Sequence, residues 1–137
     1  LDANPVHSQQ FDQMVKEALS QLWGGPKLTS SPLLNMRIVQ NRMPNCGNVP
    51  AKAIRSVLQE AIERLKPDGQ RSMTAAEWIV YNILDLKFVQ GQRIRDIIQR
   101  LAMSESDFYR KQRVAIGQVA ETLVQMERAT DKDSSEN

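Results

Sequence analysis

Between Lys87 and Arg113 the chain gathers Lys87, Arg93, Arg95, Arg100, Arg110, Lys111 and Arg113 against Asp96, Glu105 and Asp107, a local charge of +4 in a protein whose total is +2. Guanidinium groups do one kind of chemistry well, because a planar fork of N–H donors can hold two acceptors of an anion at once. The rest of the sequence compensates for this run. Residues 72–86 bring two acids and no base, and residues 114–137 bring five acids against two bases. Charge is therefore segregated along the chain. The basic run is either a docking surface for an anionic partner or a solvated helix face, with Asp96 pairing Arg93 and Asp107 pairing Arg110 or Lys111 at helical spacing.

Other chemistries lack their parts. No glycine-rich phosphate loop, no histidine pair with a carboxylate at metal spacing and no nucleophile elbow occurs, so no enzymatic activity, catalytic residue, metal or small-molecule cofactor is expected. Cys46 has no companion base, and a free cysteine without one is an inert side chain. His7 reads as an exposed residue at a helix end. Glu60 with Glu63, and Glu77 with Asp85, stand at spacings that surface solvation explains. Trp23, Trp78, Tyr81 and Phe88 recur at helical spacing and read as core rather than as a base-stacking set.

These side chains must be held by helices. Phe11, Val15, Ala18, Leu19 and Leu22 repeat every three or four residues, so a helix is expected from Pro5 or Ser8 to about Trp23, stopped by Gly24, Gly25 and Pro26. Leu33 to Met43 forms a shorter segment, helical in spacing but carrying β-branched residues. Pro44, Asn45, Gly47 and Asn48 make a turn. Pro50 opens a third helix with Ile54, Val57, Leu58, Ala61, Ile62 and Leu65 on one stripe. Thr74 and Glu77 fit a capping box before a fourth helix, apolar on most sides through Phe88 and ended by Gly91. A short helix from Gln92 to Ala102 and a long one from Ser104 to about Arg128 complete the count, Ser104 and Asp107 supplying a second box. No stretch alternates with period two. The expected fold is all-α, five to six helices around one core, feasible in 137 residues. Residues 1–71 form an amino-terminal platform in the same compact unit as residues 72–128, and residues 129–137 form a flexible polar tail.

Gln92 to Met126 has the most specific shape. A short helix bearing Ile94, Ile97, Ile98 and Leu101, a tight turn at Ala102-Met103-Ser104, and a second helix with Phe108 pointing back at the first are helix-turn-helix grammar. The stretch RIRDIIQRLAMSESDFYRKQRVAI, Arg93 to Ile116, resembles the helix-turn-helix of bacterial sigma-factor region four and of LuxR-type regulators. YRKQRVAIGQVAETL, Tyr109 to Leu123, is similar to regulators whose recognition helix continues into a long carboxy-terminal helix. The resemblance covers about 35 of the 137 residues. It implies a recognition face of Ser104, Glu105, Ser106, Tyr109, Arg110 and Arg113, with Arg110 and Arg113 placed for base or phosphate contact. It also implies that Arg93, Arg95 and Arg100 neutralise backbone phosphates. Lys111 falls nearer the interior phase.

Two functions are expected from these residues. The first is a DNA-binding domain of a bacterial transcriptional regulator, its partner double-stranded DNA. The second is an all-helical interaction or dimerisation module without DNA, motivated by the wide apolar face of Val114, Ala115, Ile116, Val119, Ala120, Leu123, Val124 and Met126, which a second copy in a homodimer would cover. No membrane segment or targeting signal is visible, and one cysteine cannot close an internal disulfide, so the expected address is the cytoplasm.

Overall fold

The structure, a computed structural model, describes residues 4–135. It is all-α, with no strand among the described residues: α1 (Phe11–Ser20), α2 (Arg37–Arg42), α3 (Pro50–Glu63), α4 (Ile79–Leu84), α5 (Ile94–Leu101) and α6 (Glu105–Ser135). No helix of the described residues is long and apolar enough to cross a membrane.

Two apolar clusters organise these helices. The larger, the platform core, buries Phe11, Val15 and Leu19 of α1, Ile38 and Val39 of α2, Ile54, Leu58 and Ile62 of α3, and Ala115, Val119 and Leu123 of α6. The smaller, the corner core, joins Ile79, Ile83 and Leu86 to Ile97 and Leu101 of α5 and to Phe108 of α6. α4 is the shared wall: Tyr81 and Leu84 face the platform core while Ile79 and Ile83 face the corner core. A helix buried on both sides needs apolar residues around most of its circumference, which is why its sequence shows no single stripe. α6 also spans both cores, so residue 71 is not a break in packing. The apolar width of α6 is used within the chain, Ala115, Ile116, Val119, Ala120, Leu123 and Met126 all being buried, with Val114 at 51% the exposed exception.

Several boundaries differ from the sequence expectation. The first helix is shorter: a 3-10 turn at Pro5–His7 precedes α1, which ends at Ser20. Trp23, expected in the core, is 71% exposed, because the chain leaves the helix before reaching it and Gly24 takes a φ of +106°. The segment between α1 and α3 breaks into 3-10 turns at Pro26–Ser30, Pro32–Asn35 and Met43–Cys46 around α2, in keeping with its prolines. Thr74 is not a helix cap. The helical chain begins at Ala76, and Ser72 Oγ accepts the Ala75 N–H at 3.1 Å. α4 runs on into a π-helical turn, Asp85–Val89, closed by the Gln90 N–H on the Asp85 carbonyl at 2.8 Å, before Gly91 reverses the chain with a φ of +68°. α6 continues to Ser135 rather than stopping near Arg128, so residues 129–135 are helical and not a tail. No glycine or proline follows Gly117, so nothing there breaks the helix. Residues 136–137 lie outside the described residues.

Polar groups buried by this packing are satisfied across long sequence distances. The Glu127 carboxylate, 1% exposed, accepts the backbone N–H groups of Arg37 and Ile38, both at 2.9 Å, and the Asn4 amide at 2.7 Å. It thus neutralises the positive end of α2 from the far end of α6. Asn82, fully buried in α4, donates to the Ser72 carbonyl at 2.8 Å and accepts from Arg71 Nε at 2.9 Å. Arg71 also reaches Asp85 at 2.9 Å. These bonds pin residues 71–73, and with them Met73, against the corner core.

Candidate nucleic-acid interface

The corner between α5 and α6 is built by three residues. Ala102 takes a left-handed conformation, φ 54° and ψ 50°, at the end of α5. Its N–H points to the Gln99 carbonyl at 3.4 Å, and the Met103 N–H donates to the Ile98 carbonyl at 3.0 Å. This double closure satisfies carbonyls that the helix end leaves free, and the packing of Met103 and Ile98 on the corner core supplies the apolar contact that accompanies it. Ser104 then caps α6: its Oγ accepts the Asp107 N–H at 3.1 Å and its carbonyl the Phe108 N–H at 2.9 Å. Only that half of the expected capping box forms. Asp is one methylene shorter than Glu, and the Asp107 carboxylate instead binds Arg110 and, at 3.2 Å, Lys111. Hydrogen bonds from Arg110 and then Lys111 hold the Asp107 carboxyl below its ordinary pKa.

Phe108 is the wedge. It is fully buried among Ile97, Leu101, Ile83 and Leu86, packing the start of α6 against α5 and α4. Around that wedge the structure brings all nine positions of the sequence-derived interface to the surface: Arg93, Arg95, Arg100, Ser104, Glu105, Ser106, Tyr109, Arg110 and Arg113 are exposed. Tyr109 stands edge-on to Phe108, ring centroids 5.5 Å apart, while remaining 45% exposed.

Pairing divides the cations into two groups. Arg110 and Lys111 are engaged by Asp107, and Arg100 Nη1 donates to Gln92 Oε1 at 3.3 Å. The guanidinium groups of Arg93, Arg95 and Arg113 make no hydrogen bond or ion pair among the described residues. The anticipated Arg93–Asp96 pair does not form. Arg93 lies before α5 in extended backbone, φ −72° and ψ 147°, so its spacing to Asp96 is not a helical one.

One neighbour of this face carries no signal in the local sequence. Beside the first turns of α6 runs a groove of about 380 Å³, with Tyr109, Arg113 and Ile116 on one wall and Asp12, Gln13 and Lys16 of α1 on the other. Gln112 also lines it, buried, with Oε1 lacking a hydrogen-bond partner among the described residues. About a hundred residues separate the two walls in sequence, so no spacing rule could have joined them. Among the described residues, no group of three or more His, Cys, Asp or Glu is placed to hold a metal ion. Compared with family models, curated proteins and solved structures, the chain matches none.

Proposed function

We propose that this chain is a DNA-binding helix-turn-helix domain of a bacterial transcriptional regulator, docking the amino-terminal turns of α6 on duplex DNA. The observation that carries this reading is the set of exposed guanidiniums of Arg93, Arg95 and Arg113, unpaired among the described residues, around a corner that Phe108 wedges. A major groove about 12 Å wide admits one helix, and side chains on its first turns reach the base edges. Tyr109 and Ser106 add hydroxyls on the same exposed turns, and Glu105 adds an acceptor suited to a cytosine amino group. Such a role places the protein in the bacterial cytoplasm.

Duplex titration at two salt concentrations tests the role. Neutralising several phosphates makes log affinity fall linearly with log salt, by about 0.9 for each phosphate. Binding that is lost steeply with salt supports the role, and absent or salt-indifferent binding removes it.

A second reading has its own observation. Arg110, a basic residue of the face, is held by Asp107, as expected of a solvated helix surface in an interaction or dimerisation module. Sedimentation of a stable dimer together with no duplex binding would select that reading.

A further inference from the structure

A helix about 10–12 Å across, seated in a major groove of similar width, has a sugar-phosphate strand along each side. Cations on one flank alone can neutralise only one of those strands. On the α5 flank stand Arg93, Arg95 and Arg100. The other edge of α6, carrying Tyr109, Arg113 and Ile116, faces α1 across the groove. There the chain presents Lys16, exposed and lining the same groove as Arg113. Lys27 lies next along this side, sharing with Lys16 a second cavity of about 340 Å³ on α1. Neither lysine's ammonium group has a hydrogen-bond or ion-pair partner among the described residues; their backbone carbonyls accept from Ser20 Oγ at 2.9 Å and Ser30 Oγ at 3.3 Å. The nearby carboxylates do not claim them: Glu17 accepts from Gln13 at 3.3 Å, and Asp12 Oδ2 lies near Gly117 of α6.

We infer that Lys16 and Lys27, projecting from α1 and the turn after it, form a second phosphate-contacting flank of the duplex interface, opposite the arginines of α5. The inference rests on the DNA-binding role proposed above and adds to it a contribution from the amino-terminal platform. Lys16 and Lys27 set position rather than sequence, since a phosphate contact carries no base information. Asp12, on the same wall, works against them by repelling the strand they attract.

The test compares the full chain with Lys16→Ala/Lys27→Ala, Asp12→Asn and Arg113→Ala on one duplex and on a scrambled duplex of equal length. The lysine variant is expected to lose affinity roughly tenfold on both duplexes alike and to flatten the salt slope by about 2, one step for each lost phosphate contact. Asp12→Asn is expected to bind a few-fold more tightly, a gain that damage to the fold cannot mimic. Unchanged affinity and slope in the lysine variant, while Arg113→Ala weakens binding, would overturn the second flank and leave the DNA-binding role standing. No duplex binding by the unaltered chain would overturn both.

Discussion

Several charged side chains over the platform core are answered from within the chain, whereas three guanidiniums around the corner core are left facing water. On the platform, Glu127 closes the start of α2, and Arg42 and Arg64 share the Glu60 carboxylate at 2.8 and 2.9 Å. Tyr81 gives its hydroxyl to Glu63 at 2.9 Å while Arg71 lies 5.2 Å from the centre of its ring. Around the corner, the side chains of Arg93, Arg95 and Arg113 have no such partners among the described residues. The lesson is that charge bound to the chain's own groups holds the fold, and charge left unbound beside a rigid feature is available to something else. Substitutions at Phe108, Glu127, Arg95, Ala102 and Tyr81 break or sharpen that contrast.

Removing the wedge has the largest effect. Phe108→Ala empties the centre of the corner core and is expected to lower stability by about 3–5 kcal/mol, read by denaturant unfolding. The angle between α5 and α6 should be lost with it. Next comes the platform's long-range cap. Glu127→Ala strips the N–H groups of Arg37 and Ile38 of a buried charged acceptor and should cost about 2–4 kcal/mol, whereas an exposed arginine such as Arg95→Ala should change stability by less than about 0.5 kcal/mol. Equal costs would erase the distinction between inward and outward charge.

Ala102→Gly should move stability the other way, by about 1 kcal/mol upward, because the left-handed turn strains a side chain that glycine lacks. Thermal unfolding reads the gain. The last test is alkaline and concerns Tyr81, whose hydroxyl is pushed up to about 12, first by burial and then by its bond to Glu63. A folded pKa above the unfolded value of about 10 means that the protonated phenol stabilises the fold fully below pH 10. That contribution is lost as pH rises from about 10 towards 12. Alkaline titration of phenolate absorbance should show one tyrosine ionising late, and Tyr81→Phe should remove that phase.

Much of the corner was legible in the sequence because its causes are local. Ile94, Ile97, Ile98 and Leu101 recur at helical spacing, Ser104 is a capping residue, Phe108 follows one turn into the next helix, and the exposed phase of α6 follows from the buried one. The platform was less legible because its polar chemistry is long-range. Nothing near Glu127 announces that it caps a helix 90 residues away, and Asn82 looks like an interruption in an apolar helix until its partners Arg71 and Ser72 are known. Trp23 shows the limit of periodicity: its type says core, but the helix ends three residues earlier. The α1 wall of the groove was hidden for the same reason as the Glu127 cap, since packing rather than spacing brings Lys16 beside Arg113.

The most direct measurement is the salt dependence of duplex binding for the unaltered chain and for the triple variant Arg93→Ala/Arg95→Ala/Arg113→Ala, with unfolding free energies determined on the same samples. If the unpaired guanidiniums face DNA, the slope flattens by about 3 and stability stays within roughly 0.5 kcal/mol. An unchanged slope, or a loss of stability as large as that of Glu127→Ala, would show that these arginines serve the fold and not a partner.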